Sequence, residues 1–132
     1  VSAAVTPWDM GRLKSFHPEM RISAGAPVAD VLASLKAGLE GAKFKIKKSD
    51  DDGFTARYTD WLSLASATIN WTSVEVEAVP GADGTEVLVR GGYEGTDRTG
   101  RKRAAEGLSV AVGDLGARGV SVTTTPWAAP QD

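Results

Sequence analysis

Apolar residues recur every three or four positions between Pro27 and Gly41 but every second position on either side. This double change of period restricts the fold more than any other feature of the chain. Val28, Val31, Leu32, Leu35 and Leu39 form one stripe, which predicts a helix with a single buried face. Pro27 suits the first helical position, where its missing N–H costs nothing, and Asp30 lies near the positive end of the helix dipole. Gly41 is the expected left-handed stop. Before the helix, Met20-Arg21-Ile22-Ser23 reads as a short strand ended by Gly25-Ala26-Pro27. After it, Lys43-Phe44-Lys45-Ile46-Lys47 alternates strictly and predicts a half-buried strand with its lysines turned to water. Asp50-Asp51-Asp52-Gly53 is a turn, with positive φ expected at Gly53. Phe54, Ala56 and Tyr58 then alternate with Thr55, Arg57 and Thr59 as the returning strand.

A long strand is expected from about Ala67 to Val79. Ile69 and Trp71 are odd-numbered whereas Val74, Val76 and Ala78 are even, which predicts a bulge near Thr72-Ser73. A loop over Pro80–Gly84 leads to a strand at Glu86–Arg90, and the glycine-rich joint Gly91–Gly95 leads to a second helix from about Asp97 to Arg118, capped by Thr96 or Asp97. Ala104, Leu108, Ala111, Val112 and Leu115 form its apolar stripe. Gly107, Gly113 and Gly116 each weaken that helix by about 1 kcal/mol, which suggests close approach to the sheet as compensation. Residues 1–19 read as an arm, 20–119 as a single α+β domain, and 120–132 as an edge strand with a tail. The expected architecture is an antiparallel sheet of about five strands with two helices on one face, in the order β-α-β-β-β-β-α. That element order resembles the TATA-box-binding-protein-like arrangement and, more loosely, the helix-grip folds; the resemblance lies in the order alone and carries no function.

With 42% hydrophobic and 24% charged residues over 132 positions, the chain has the makings of an ordinary core. Fifteen basic against 17 acidic residues leave a net charge of −2, which argues against a general nucleic-acid binder. The absence of cysteine excludes disulfides, thiolate catalysis and cysteine-ligated zinc. No run approaches the roughly 18–20 apolar residues of a membrane helix. The start, Val1-Ser2-Ala3-Ala4-Val5, lacks the charged opening of a signal peptide, although the stub left after cleavage would look the same. A cytoplasmic chain is the expectation, and a mature exported one fits the same features. Abundant Ala, Gly, Val, Asp and Arg match the coding bias of a GC-rich bacterial genome.

No acid, base and nucleophile set is legible, and neither a cofactor nor a metal is expected. His17, the single histidine, lies in the irregular arm, far from partners it would need for a triad or a metal site. Gly107-Leu108-Ser109-Val110-Ala111 lacks the final glycine of a nucleophile elbow and sits in a helical pattern. The Asp50–Asp52 run lacks the alternate spacing of a calcium loop, and Trp61 stands where its closing glutamate belongs. Glu75 and Glu77 share one strand face; cross-strand pairing with Lys43, Lys45, Lys47 or Arg57 is a simpler reading than paired-carboxylate catalysis.

Arg98, Arg101, Lys102 and Arg103 open the second helix against its dipole, a cost that an anion or acidic partner would turn into a gain. Trp8 and Trp127 lie in the near-repeats Thr6-Pro7-Trp8 and Thr125-Pro126-Trp127, one in each tail; each either pins its tail to the domain or serves as a partner anchor. Three functional readings follow. The first is a non-catalytic binding module using the open sheet face, the basic helix start or the tails. The second is a helix-grip carrier or cyclase-like enzyme, its cavity lined by Tyr58, Trp61, Arg90 and Tyr93. The third is a subunit of a larger assembly or homo-oligomer, docked through its tails.

Overall fold

The alternation in the sequence becomes a six-stranded antiparallel sheet in the computed structural model, which describes Val5 and residues 18–59, 71–81, 84–94 and 99–128. At 59, 71, 93, 94 and 99–101 it describes the main chain alone. Along the chain come β1 (Glu19–Ala24), α1 (Val28–Gly41), β2 (Lys45–Ser49), β3 (Gly53–Thr59), β4 (Trp71–Gly81), β5 (Gly84–Glu94), α2 (Thr99–Ala117) and β6 (Val122–Thr124). In the sheet they stand as β2-β3-β4-β5-β1-β6. This is the α+β class and element order expected, and the sixth strand is the edge strand read after residue 119. Among the described residues, no helix is long and apolar enough to cross a membrane.

One face of the sheet is buried and the other is open, as the period of two requires. Ile22 and Ala24 of β1, Phe54 and Ala56 of β3, Val74, Val76 and Ala78 of β4, and Val87 and Val89 of β5 all join one core. The helices complete that core with Val31, Leu35 and Leu39 from α1 and with Leu108, Val112 and Leu115 from α2. The expected stripes of both helices are thus the buried ones.

Several local expectations are corrected. The bulge near Thr72-Ser73 is absent: β4 pairs without interruption with β3 over positions 71–77 and with β5 over 71–81. Thr72 takes the inward place in the even-numbered set at 0% exposure, and Ile69 lies outside the described residues. A register shift falls instead between Ile46 and Lys48 on β2. The glycine joint continues as strand to Glu94, with Gly91 opposite Val74 and Gly92 opposite Ser73. The loop shrinks correspondingly, since Gly81 already pairs with Gly84. Asp50 holds its turn by accepting from the N–H groups of Asp52 and Gly53 at 2.8 and 2.9 Å. Positive φ does not occur at Gly53. Glycine is required there because a Cβ would run into the Val76 carbonyl oxygen.

Both helices end in the same hydrogen-bonded motif. At α1, Phe44 N–H donates to the Leu39 carbonyl and Lys43 N–H to that of Glu40, both at 3.0 Å. At α2, Val120 N–H donates to Leu115 and Gly119 N–H to Gly116, again at 3.0 Å. This pairing needs a left-handed residue, which is Gly119 (φ 85°) in one case and Lys43 (φ 77°) in the other. The left-handed stop of α1 is therefore Lys43 rather than Gly41. A non-glycine residue held there carries a penalty of roughly 1 kcal/mol.

The two helices meet at Gly38 and Gly107. A Cβ on Gly107 would lie 2.9 Å from the Gly38 carbonyl oxygen and 3.0 Å from Leu39 Cα, and one on Gly38 would strike the Gly107 carbonyl. The close approach expected between α2 and the sheet is thus made to α1 instead. Ser34 reinforces the crossing by donating to Asp114 at 3.2 Å. Gly113 faces open space. Urea unfolding separates these roles. Gly107→Ala is expected to lose about 1–3 kcal/mol by forcing the helices apart, whereas Gly113→Ala should gain about 0.5–1 kcal/mol from helix propensity. Lys43→Gly should gain about 0.5–1 kcal/mol by relieving the left-handed lysine.

Candidate binding face of the sheet

Opposite the helices, the register arranges the outward side chains of β1, β5, β4, β3 and β2 in rows. Arg21 stands beside Leu88, which stands beside Glu77, and Glu77 beside Gly53. The next row runs Glu19, Arg90, Glu75, Thr55 and Lys48. On the other side of Leu88, the row is Thr123, Ser23, Glu86 and Val79. Leu88 is thereby a single apolar side chain set among Arg21, Glu77, Glu86 and Arg90. Val79, half-exposed at 51%, continues the apolar surface diagonally. Such an apolar centre with a charged rim has the composition of an interaction patch.

Arg90 organises the middle row. Its Nε and Nη2 donate to Glu19 Oε2 at 2.9 and 2.5 Å, and Nη1 lies 3.9 Å from Glu75 Oε2. The hydrogen bond to Glu19 holds the guanidinium above its usual pKa, with smaller contributions from the charges of Glu19, Glu75 and Glu77. Arg90 therefore stays cationic at every pH compatible with folding. The cross-strand pairing expected for Glu75 exists, but with Arg90. The lysines of β2 lie two strands away, and Lys45 and Lys48 pair with Arg57 and Thr55 of β3.

A hollow of about 210 Å³ lies over Leu88, bounded by Arg21, Ser23, Glu77, Val79 and Glu86. A second hollow of about 310 Å³ adjoins it, sharing Ser23 and Glu86. It continues past the end of the sheet between Gly25, Gly81, Gly84, Ser121 and Thr123. Both lie over β4, β5 and β1, one beyond the other along the strands, and the second also reaches β6.

The other expected sites are only partly within the described residues. Tyr58 packs toward the helices, its ring 5.6 Å from that of Phe44, whereas Arg90 faces the open side. These two therefore cannot line one cavity; Trp61 and the side chain of Tyr93 lie outside the described residues. At the basic helix start, Lys102 is exposed and Arg103 lies 3.7 Å from Glu106, while Arg98 and the side chain of Arg101 lie outside the described residues. His17 and Trp8 lie outside them too. Trp127 is buried at 9% exposure and joins the core, so the C-terminal indole is pinned inward. Its tail is tied along β1, where Glu19 and Ala128 exchange two 2.8 Å main-chain hydrogen bonds. Ser109 serves a similar end on α2: its hydroxyl accepts from the Val5 N–H at 2.9 Å and donates to the Val5 carbonyl at 3.0 Å. Among the described residues, no group of three or more acidic or histidine side chains converges as a metal site.

In sequence the chain matches no family model and no curated protein. Leu88 and Val79 went unrecognised in the sequence as surface residues, although a signal exists. Leu88 sits between two inward valines and Val79 follows inward Ala78, so the period of two turns both outward. Glu19 has no such signal, since its partner Arg90 is 71 residues away. The Glu19 side chain is only 14% exposed, so losing the guanidinium strands a partly desolvated carboxylate. Arg90→Met is expected to cost about 1–2 kcal/mol in urea unfolding. In a double-mutant cycle with Glu19→Gln, the pair should show a coupling of about 1 kcal/mol.

Proposed function

We propose that this chain is a non-catalytic binding or interaction domain and that the open face of its sheet is the surface it presents. The observation that carries this reading is the apolar centre at Leu88 and Val79, set among charged side chains and beneath a hollow. An antiparallel sheet tolerates water on one face, but a solvated face needs neither exposed apolar residues nor a groove. The arrangement offers anchors and a polar rim. The space between sheet and helices favours this reading over a helix-grip carrier, because the described apolar side chains there are buried, Ile22, Leu35, Val89 and Leu108 at 0% exposure. The inward Trp127 likewise favours it over docking through the C-terminal tail.

A photoreactive amino acid at position 79, compared with one at position 110 on the exposed side of α2, tests the proposal. In extracts of the native host, position 79 is expected to give discrete cross-linked products that excess unlabelled protein suppresses, and position 110 none. Products from position 110 alone, or from neither, would overturn it.

A further inference from the structure

We infer that the groove across the open face receives an extended peptide segment and that a lysine or arginine of this segment enters the hollow over Leu88. This rests on the open face being the binding surface and names what it binds. The shape of the groove is the first support. The two hollows share Ser23 and Glu86 and follow one another along the strands, the second running past the end of the sheet, which suits an extended chain more than a compact small molecule. The chemistry of the first hollow is the second. Its floor is apolar at Leu88 and Val79, and Glu77 and Glu86 stand at its sides.

Neither Glu77 nor Glu86 has an ion-pair partner within 4.0 Å among the described residues, whereas Glu19 and Glu75 in the neighbouring row both share Arg90. The two carboxylates are diagonal neighbours across the β4–β5 pair, since Glu77 opposes Leu88 and Glu86 opposes Val79. A long cationic side chain satisfies both parts of such a hollow. Its methylene stem lies on Leu88 and Val79 while its head reaches the carboxylates. Arg21 on the opposite wall disfavours a second cation there and confines the positive group to the glutamate side. The second hollow has the character expected where a peptide main chain passes. The hydroxyls of Ser23, Ser121 and Thr123 have no hydrogen-bond partner among the described residues, and glycines at 25, 81 and 84 keep its walls low.

Titration of the isotope-labelled full chain by NMR provides the test. The probes are three short capped peptides of alternating threonine and valine, carrying one central lysine, norleucine or glutamate. The lysine peptide is expected to shift the amides of Ser23, Glu77, Val79 and Leu88. It should bind about tenfold more tightly than the norleucine peptide, the scale of one charge-assisted hydrogen bond. In the folded Glu77→Gln/Glu86→Gln variant that advantage should disappear. Equal binding of the three peptides, an advantage that survives in the variant, or shifts confined to the helices would each overturn the inference. Cross-linking from position 79 combined with indifferent peptides would leave the binding face standing and remove only its preference for a cation.

Discussion

Where Gly38 of α1 crosses Gly107 of α2, each backbone occupies the space a neighbouring Cβ would need. This contact sets how closely the two helices lie, and so how completely they cover one face of the sheet. Leu35 and Leu39 on one helix and Leu108 and Leu115 on the other descend together onto the inward residues of β1, β4 and β5. Ser34 and Asp114 bridge the same crossing with a hydrogen bond. With both helices committed to one side, no described element is layered on the other side of the six strands.

The chemistry of the open face follows from register. Once β1, β5 and β4 pair as they do, Arg90 must fall between Glu19 and Glu75, and Leu88 between Arg21 and Glu77. The first arrangement neutralises a partly buried carboxylate. The second leaves an apolar side chain flanked by Glu77 and Glu86, which have no ion-pair partner within 4.0 Å among the described residues. Two terminal segments are meanwhile held on their own chain, Val5 by Ser109 and the C-terminal strand by β1 and the inward Trp127. The open face is thus where unsatisfied polar groups and exposed apolar surface coincide.

Much of the fold is legible because short-range periodicity encodes it. The stripes of α1 and α2 and the hairpin of β2 and β3 follow from neighbours within a few residues. Glycine roles and strand register are the least local properties of the chain. Gly107 was legible as a place of close approach, but its neighbour is a helix, because a local pattern does not name the element that comes near. The glycines at 91 and 92 read as a joint, whereas a ladder to β4 carries them as strand. A bulge was expected in β4 because Ile69 and Trp71 differ in parity from Val74; the continuous pairing puts Thr72 inward instead.

By itself the sequence determined which residues are apolar at which spacing, and hence the class, the order of elements and the buried stripe of each helix. It also excluded thiol chemistry and left no recognisable catalytic set. Only the tertiary structure decided that Arg90 belongs with Glu19 rather than in a cavity with Tyr58, and that Ser109 holds the N-terminal segment at Val5. It also decided that Ser23 and Glu86 border two neighbouring hollows. The physical reason is separation along the chain. Periodicity is a property of residues a few positions apart, while Glu19–Arg90 and Val5–Ser109 join residues 71 and 104 apart, whose meeting depends on sheet order and register.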